Sequence, residues 1–236
     1  MQCIKPADCE RFCFLRYICR MAQDSGHPYL VGIVGGSASG KTSFIKALAE
    51  HFDATQITVI SQDHYYVPVE HQVRDANGMV NFDLPGSIDR DRFHDDVLRL
   101  ISGHDVYVKE YTFNNPNHEP ELICYKPAPV IIMEGLFVFF YEEIRKILDL
   151  KVYLDADEEI KLARRISRDA TERGYPEKEV LYQWHNHVMP AYKAYLEPFK
   201  AHSDIIVTNN TSFSKGLEVL IHHLKAKMVW KTDSVL

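Results

Sequence analysis

No apolar run in the 236-residue sequence approaches the roughly 20 consecutive residues that a helix needs to cross a bilayer, so no membrane span is expected. Nor is there a basic excess. Lys and Arg number 27 against 33 Asp and Glu, for a net charge of −6. That balance argues against a general surface for nucleic acid or anionic membrane, and any basic site must be local. Cysteines are few and unevenly placed: Cys3, Cys9, Cys13 and Cys19 precede the first strand, and Cys124 stands alone. No C-x2-C pair occurs among them, so a zinc site has little support from spacing. Residues 1–20 (MQCIKPADCERFCFLRYICR) lack the uninterrupted apolar core of a signal peptide. They read as a poorly ordered extension, with Met21 a natural start for a single domain over residues 21–236. Internal repeats and low-complexity tracts are missing as well.

What is present is dominated by one stretch, Tyr29–Phe52. An apolar β-branched run (Leu30, Val31, Ile33, Val34) reads as a buried strand. Phe44, Ile45, Leu48 and Phe52 then recur at helical spacing. Between them Gly35, Gly40, Lys41 and Thr42 match G-x-x-x-x-G-K-[ST]. Glycines let successive backbone N–H groups converge on a polyphosphate at the positive end of the following helix. The expected triphosphate contacts are therefore Gly35, Gly36, Ser37, Ala38, Ser39, Gly40, Lys41, Thr42 and Ser43, with Lys41 reaching the β- and γ-phosphates and Thr42 holding Mg²⁺. The odd cysteine count and this nucleotide site together point to a reducing cytoplasm.

The order of the remaining elements is that of an open α/β sheet. Ile57–Ser61 reads as a strand whose carboxyl end delivers Asp63, as a general base or a Mg²⁺ contact. Residues 67–87 read as a loop carrying Asn81-Phe82-Asp83. A helix is expected over Asp89–Ile101. Val106–Tyr111 and Leu122–Tyr125 form a hairpin flap suited to a substrate pocket. Val130–Met133 is a buried strand that places Glu134 opposite the phosphate loop. Residues 137–148 read as helix and Leu150–Leu154 as strand, with Asp155 and Asp157 as caps. The helix from Asp157 bears Arg164, Arg165, Arg168 and Arg173, either a solvated basic face or a lid that neutralises a transferring phosphoryl group. Gly174 and Pro176 mark a hinge. Along Glu177–Phe199, Val180, Trp184, Val188, Tyr192, Tyr195 and Phe199 form a core stripe, and Pro190 is expected to break it into two helices. His185 and His187 cannot share a helix face, which disfavours a metal pair. Ile205–Thr208 and Phe213–Met228 complete the chain as strand and helix.

From Pro28 to about Lys227 these motifs resemble the uridine kinase family of P-loop nucleoside kinases. The specific likeness lies in SQD-x-x-Y at Ser61–Tyr66, NFD-x-P at Asn81–Pro85, EG-x-x-x-F at Glu134–Phe139, RR-x-x-RD-x-x-ERG at Arg164–Gly174, Gln183, and the stretch Pro198–Val207. The resemblance implies a P-loop NTPase fold: a central, mostly parallel sheet flanked by helices, with a small β-hairpin flap and a helical lid. It implies ATP-dependent phosphorylation of the 5′-hydroxyl of uridine and cytidine. Asp63 would be the base, and Thr42 and Glu134 the Mg²⁺ contacts. Asp83 and Arg165 would hold the ribose. Tyr66, Phe82, Tyr111 and Gln183 would surround the nucleobase, and Arg168 and Arg173 would approach the phosphates. Members of the family are typically homotetramers inhibited by cytidine triphosphate.

Two departures bear on the base. Where the family usually has a histidine five residues after the residue matching Tyr111, this chain has Pro116, with His118 two further on. Where an arginine often follows ERG, it has Tyr175. A kinase for another small hydroxylated substrate, of phosphoribulokinase type, is the alternative on the same scaffold, and a nucleotide-dependent binding module without turnover is a third reading.

Overall fold

The computed structural model describes residues 27–112, 119–172 and 174–233. The expected extension over residues 1–20 lies outside them. Five parallel strands form the central sheet: β1 (Tyr29–Val34), β2 (Ile57–Ser61), β5 (Val130–Gly135), β6 (Leu150–Asp155) and β7 (Ile205–Thr208), in the order β2-β5-β1-β6-β7. β1 is central, with Val31 aligned on Ile132 of β5 and on Leu150 of β6. Leu30, Val31 and Ile33 are completely buried. A strand covered on both faces has no solvent side, which is why its sequence is a continuous apolar run instead of an alternation.

Helices α1 (Lys41–Ala49) and the C-terminal α6 (Ser214–Asp233) cover one face, around a core of Phe44, Leu48, Val152, Leu220 and Leu224. The other face packs Phe93 and Leu100 of α2 (Arg90–Ile101) together with Phe137, Trp184 and Tyr192. The hairpin β3 (Val106–Lys109) and β4 (Leu122–Tyr125) pairs antiparallel as a separate two-stranded sheet. Among the described residues no helix is long and apolar enough to cross a membrane.

Three local expectations are corrected. Residues 137–148 are helical only over α3 (Glu142–Ile147). Phe137, Val138 and Phe139 are all buried, and three consecutive side chains cannot point inward from one helix face, so the chain turns there instead. Asp155 caps nothing. It ends β6 with its carboxylate facing Lys161 at 3.9 Å and hydrogen-bonded to Lys200, and α4 (Glu158–Glu172) opens behind the carbonyl of Asp157.

Finally, Pro190 does not break its helix. After α5 (Glu177–Gln183) the coil continues through π turns at Trp184–Val188 and Tyr192–Leu196, on either side of Met189–Ala191. The Met189 N–H bonds Trp184 O, five residues back. Widening the coil relieves the clash between the proline ring and the preceding turn, so the helix passes through. The core stripe stays intact, with Val180, Trp184, Val188 and Tyr192 buried.

Candidate active site

All five strands of the parallel sheet end on one edge, and the expected functional residues gather there. The phosphate loop leaves β1 at Gly35, where a Cβ would lie 2.3 Å from Leu154 O. Only glycine fits between the two strands. Ala38 takes a left-handed φ of 61°, and Gly40 has φ 97° immediately before α1. The loop is tied from outside by the buried Asn209, just past β7, whose Nδ2 donates to Ser39 O at 2.9 Å. Lys41 folds back to donate from Nζ to Gly35 O at 2.9 Å. Thr42 and Ser43 lie exposed in the first turn of α1, with their hydroxyls open to a ligand at the helix's positive end.

Opposite the loop, the ends of β2 and β5 bring three acidic or hydroxyl groups together. Ser61 Oγ donates to Glu134 Oε1 and accepts the Asp63 N–H at 3.3 Å. Tyr125, from the hairpin, is joined to the Ser61 backbone N–H. The Glu134 carboxyl is pushed up to about 7, first by burial and then by the charge of Asp63, with Lys41 and the Ser61 hydrogen bond pulling the other way. Tyr125 is pushed up to about 12, chiefly by burial, with Glu134 and Asp63 adding to it. Desolvation and a second carboxylate thus both oppose ionisation of Glu134 at this edge of the site.

An aromatic cluster follows the tip of β2. Tyr66 meets Phe82 edge-to-face (centroids 5.7 Å apart, 86°) and lies tilted against Tyr111 (5.3 Å, 37°). The Tyr111 N–H reaches His64 Nδ1 at 3.4 Å, which anchors the hairpin to the tip of β2. Asp83 lines the same cleft as Ser37 of the phosphate loop and Phe137. Arg165 is buried and divides its guanidinium three ways: to Ser37 Oγ at 2.8 Å, to Gln183 Oε1 at 3.0 Å and to Asp169 in an ion pair at 3.2 Å. One side chain thus links the phosphate loop to the helix bearing Gln183.

Arg168 is turned to Asp169 instead, at 2.8 Å, and the Tyr175 N–H bonds Asp169 O at 3.0 Å after the left-handed Gly174. Arg168 lies in the last turns of α4 and Tyr175 just beyond its end. Arg173, His118 and Pro116 lie outside the described residues. Sequence reasoning gave no role to Ser61, Tyr125, Asp169 or Asn209. Asp169 had a visible signal, since it stands four residues after Arg165 on one helix, where opposite charges meet.

The comparisons follow the same lines. The model of the phosphoribulokinase/uridine kinase family matches residues 30–213. A uridine kinase of Brevibacillus brevis is 37% identical over 195 residues, covering 83% of this chain and 91% of that protein. Uridine-cytidine kinase B of Dictyostelium discoideum is 30% identical over 204 residues, covering 86% and 84%. Among solved structures, the phosphoribulokinase of Rhodobacter spheroides has a TM-score of 0.58 at 18% identity, over 78% of this chain and 71% of that one, a likeness of fold.

Proposed function

The chain belongs to the phosphoribulokinase/uridine kinase family, and on that premise we propose that it transfers the γ-phosphoryl group of ATP to the 5′-hydroxyl of uridine and of cytidine. The observation that carries this reading is the aromatic cluster of Tyr66, Phe82 and Tyr111, whose Phe82 is followed directly by Asp83, a residue lining one cleft with Ser37 of the phosphate loop. A nucleoside needs flat apolar partners for its base and a carboxylate for its ribose hydroxyls, and both stand there.

In this reading the phosphate loop holds the triphosphate, and Lys41 exchanges its bond to Gly35 O for the β- and γ-phosphates. Asp63 accepts the proton of the 5′-hydroxyl as that oxygen bonds the γ-phosphorus and the bond to the β–γ bridging oxygen breaks, leaving ADP. Arg168 and Arg173 are the lid cations for the transferring group. The site also suits Mg²⁺. The Thr42 hydroxyl and Glu134 would hold it, and a divalent cation there would favour the ionised form of Glu134 that burial and Asp63 oppose. When bound, Mg²⁺ would draw charge from the triphosphate oxygens. Among the described residues no group of three or more His, Cys, Asp or Glu is arranged to hold a metal ion, and an ion held by one or two carboxylates together with substrate phosphates requires none.

The phosphoribulokinase-like alternative is less favoured. A sugar phosphate would leave the aromatic surface of Tyr66, Phe82 and Tyr111 without a role. A homotetramer in the cytoplasm is part of the proposal, and light scattering of the purified chain tests its assembly. The decisive experiment is a screen of uridine, cytidine, their deoxy forms and ribulose 5-phosphate with Mg·ATP. Turnover of the two ribonucleosides is expected, and turnover of the sugar phosphate alone would overturn the reading.

A further inference from the structure

The groups that the nucleoside-kinase reading sets around the acceptor come from distant parts of the chain. Phe82 and Asp83 lie on the loop after β2, and Gln183 ends α5. The loop tip is a small closed turn: Asn81 N–H bonds Val73 O at 2.8 Å, Asp75 N–H bonds Met79 O at 2.9 Å, and Gly78 turns the chain with φ 77°. Asp75 organises it. Its Oδ1 accepts the N–H groups of Asn77 (2.8 Å) and Met79 (2.9 Å), which shapes the turn. Its Oδ2 leaves the turn altogether and accepts the Tyr182 hydroxyl at 2.7 Å and His187 Nε2 at 2.8 Å, 107 and 112 positions away. Asn77 Nδ2 adds a bond to the Tyr182 oxygen at 2.6 Å.

The Tyr182 hydroxyl, followed by His187 and the two backbone N–H groups, holds the Asp75 carboxyl down at about 2 against the opposing effect of burial. At neutral pH it can only accept, so the hydrogen in the second bond sits on His187 Nε2. His187 is 3% exposed and packs edge-on to Tyr182. A buried imidazole aimed at a loop carboxylate is a fixed joint, because leaving either group unpaired carries a desolvation penalty. Tyr182 immediately precedes Gln183, and Asp75 lies on the loop that continues into Phe82 and Asp83.

We propose that Asp75 is a positioning residue for the acceptor: by clamping the Val73–Asn81 turn to Tyr182 and His187, it sets the spacing between Asp83 on one side of the nucleoside and Gln183 on the other. The proposal rests on the nucleoside-kinase reading above. It makes nucleoside affinity depend on residues that touch neither substrate, since affinity falls with the fraction of molecules in which the cleft has its binding shape.

The test is steady-state kinetics on Asp75→Ala, Tyr182→Phe, His187→Leu and His187→Gln, with hydrogen exchange over residues 73–83 and a thermal melt of each. Asp75→Ala is expected to raise the uridine KM by roughly ten-fold while ATP KM and kcat stay within about two-fold. His187→Leu should act in the same direction. His187→Gln should recover most of the loss, because its amide nitrogen reaches the place of Nε2. If Asp75→Ala fails to fold, Tyr182→Phe carries the same expectation with the turn intact. An unchanged uridine KM overturns the proposal, as does a parallel rise in both KM values with a lower melt. Should the wild type phosphorylate no nucleoside, it is the kinase reading that fails. The clamp is then judged by exchange alone: faster exchange at 73–83 in Asp75→Ala supports it, and unchanged exchange overturns it.

Discussion

Glu134 offers a quantitative test of the site's electrostatics that needs no substrate. Burial and the neighbouring Asp63 raise its carboxyl from 4.5 to about 7. In the unfolded chain Glu134 gives up its proton near pH 4.5, whereas in the native protein it keeps the proton until about pH 7. Between those values the native state binds the extra proton, so stability falls as pH rises. At 1.36 kcal/mol per unit, the full shift is worth at most ~3 kcal/mol, and roughly 2–3 kcal/mol of it is lost between pH 5 and pH 8. Glu134→Gln keeps an oxygen for the Ser61 hydroxyl but cannot ionise, so this part of the pH dependence should vanish. Without Mg²⁺ and nucleotide, urea unfolding should show the variant more stable than the wild type at pH 8, and closer to it at pH 5. Adding Mg·ATP should narrow the pH 8 gap, since a cation at Glu134 favours the ionised wild-type side chain. If wild type and Glu134→Gln lose stability equally between pH 5 and pH 8, the Glu134 carboxyl is not held protonated as described, and a cation there loses its physical basis.

Three further outcomes are expected. Asp63→Asn should lower kcat by ~10²–10⁴-fold with ATP binding nearly intact, measured by single-turnover assay and nucleotide titration; an unchanged kcat would remove Asp63 as the base. Tyr175→Arg should lower the KM for uridine and cytidine by about one to two decades if it restores a charge-assisted bond to the base, leaving the ATP KM alone; a higher nucleoside KM would identify Tyr175 as a fitted base contact already. A chain starting at Met21 should melt and turn over like the full chain, and a large loss of stability, or stoichiometric zinc in the full chain, would overturn the proposal that residues 1–20 are an appendage.

Much of the fold was legible because its signals are local. A strand buried on both faces must be an apolar run, so β1, β2 and β5 declared themselves. The phosphate loop did so too, because left-handed turns and close backbone approach at Gly35 and Gly40 demand glycine within a few residues of one another. Where one local rule met a competing demand, the reading failed. The apolar run at Phe137–Phe139 suited a helix by composition, but burying all three side chains required a turn. Pro190 suited a break, but two π turns absorbed it. What only the tertiary structure decided are the contacts between residues far apart in the chain. Asn209 ties down Ser39 from 170 positions away, Ser61 meets Glu134 across 73, and Asp75 reaches His187 across 112. No periodicity or spacing encodes such pairs. The first two exist because a parallel sheet brings the ends of all its strands to one edge, and the third because the loop after β2 folds against the helix bearing Tyr182 and His187.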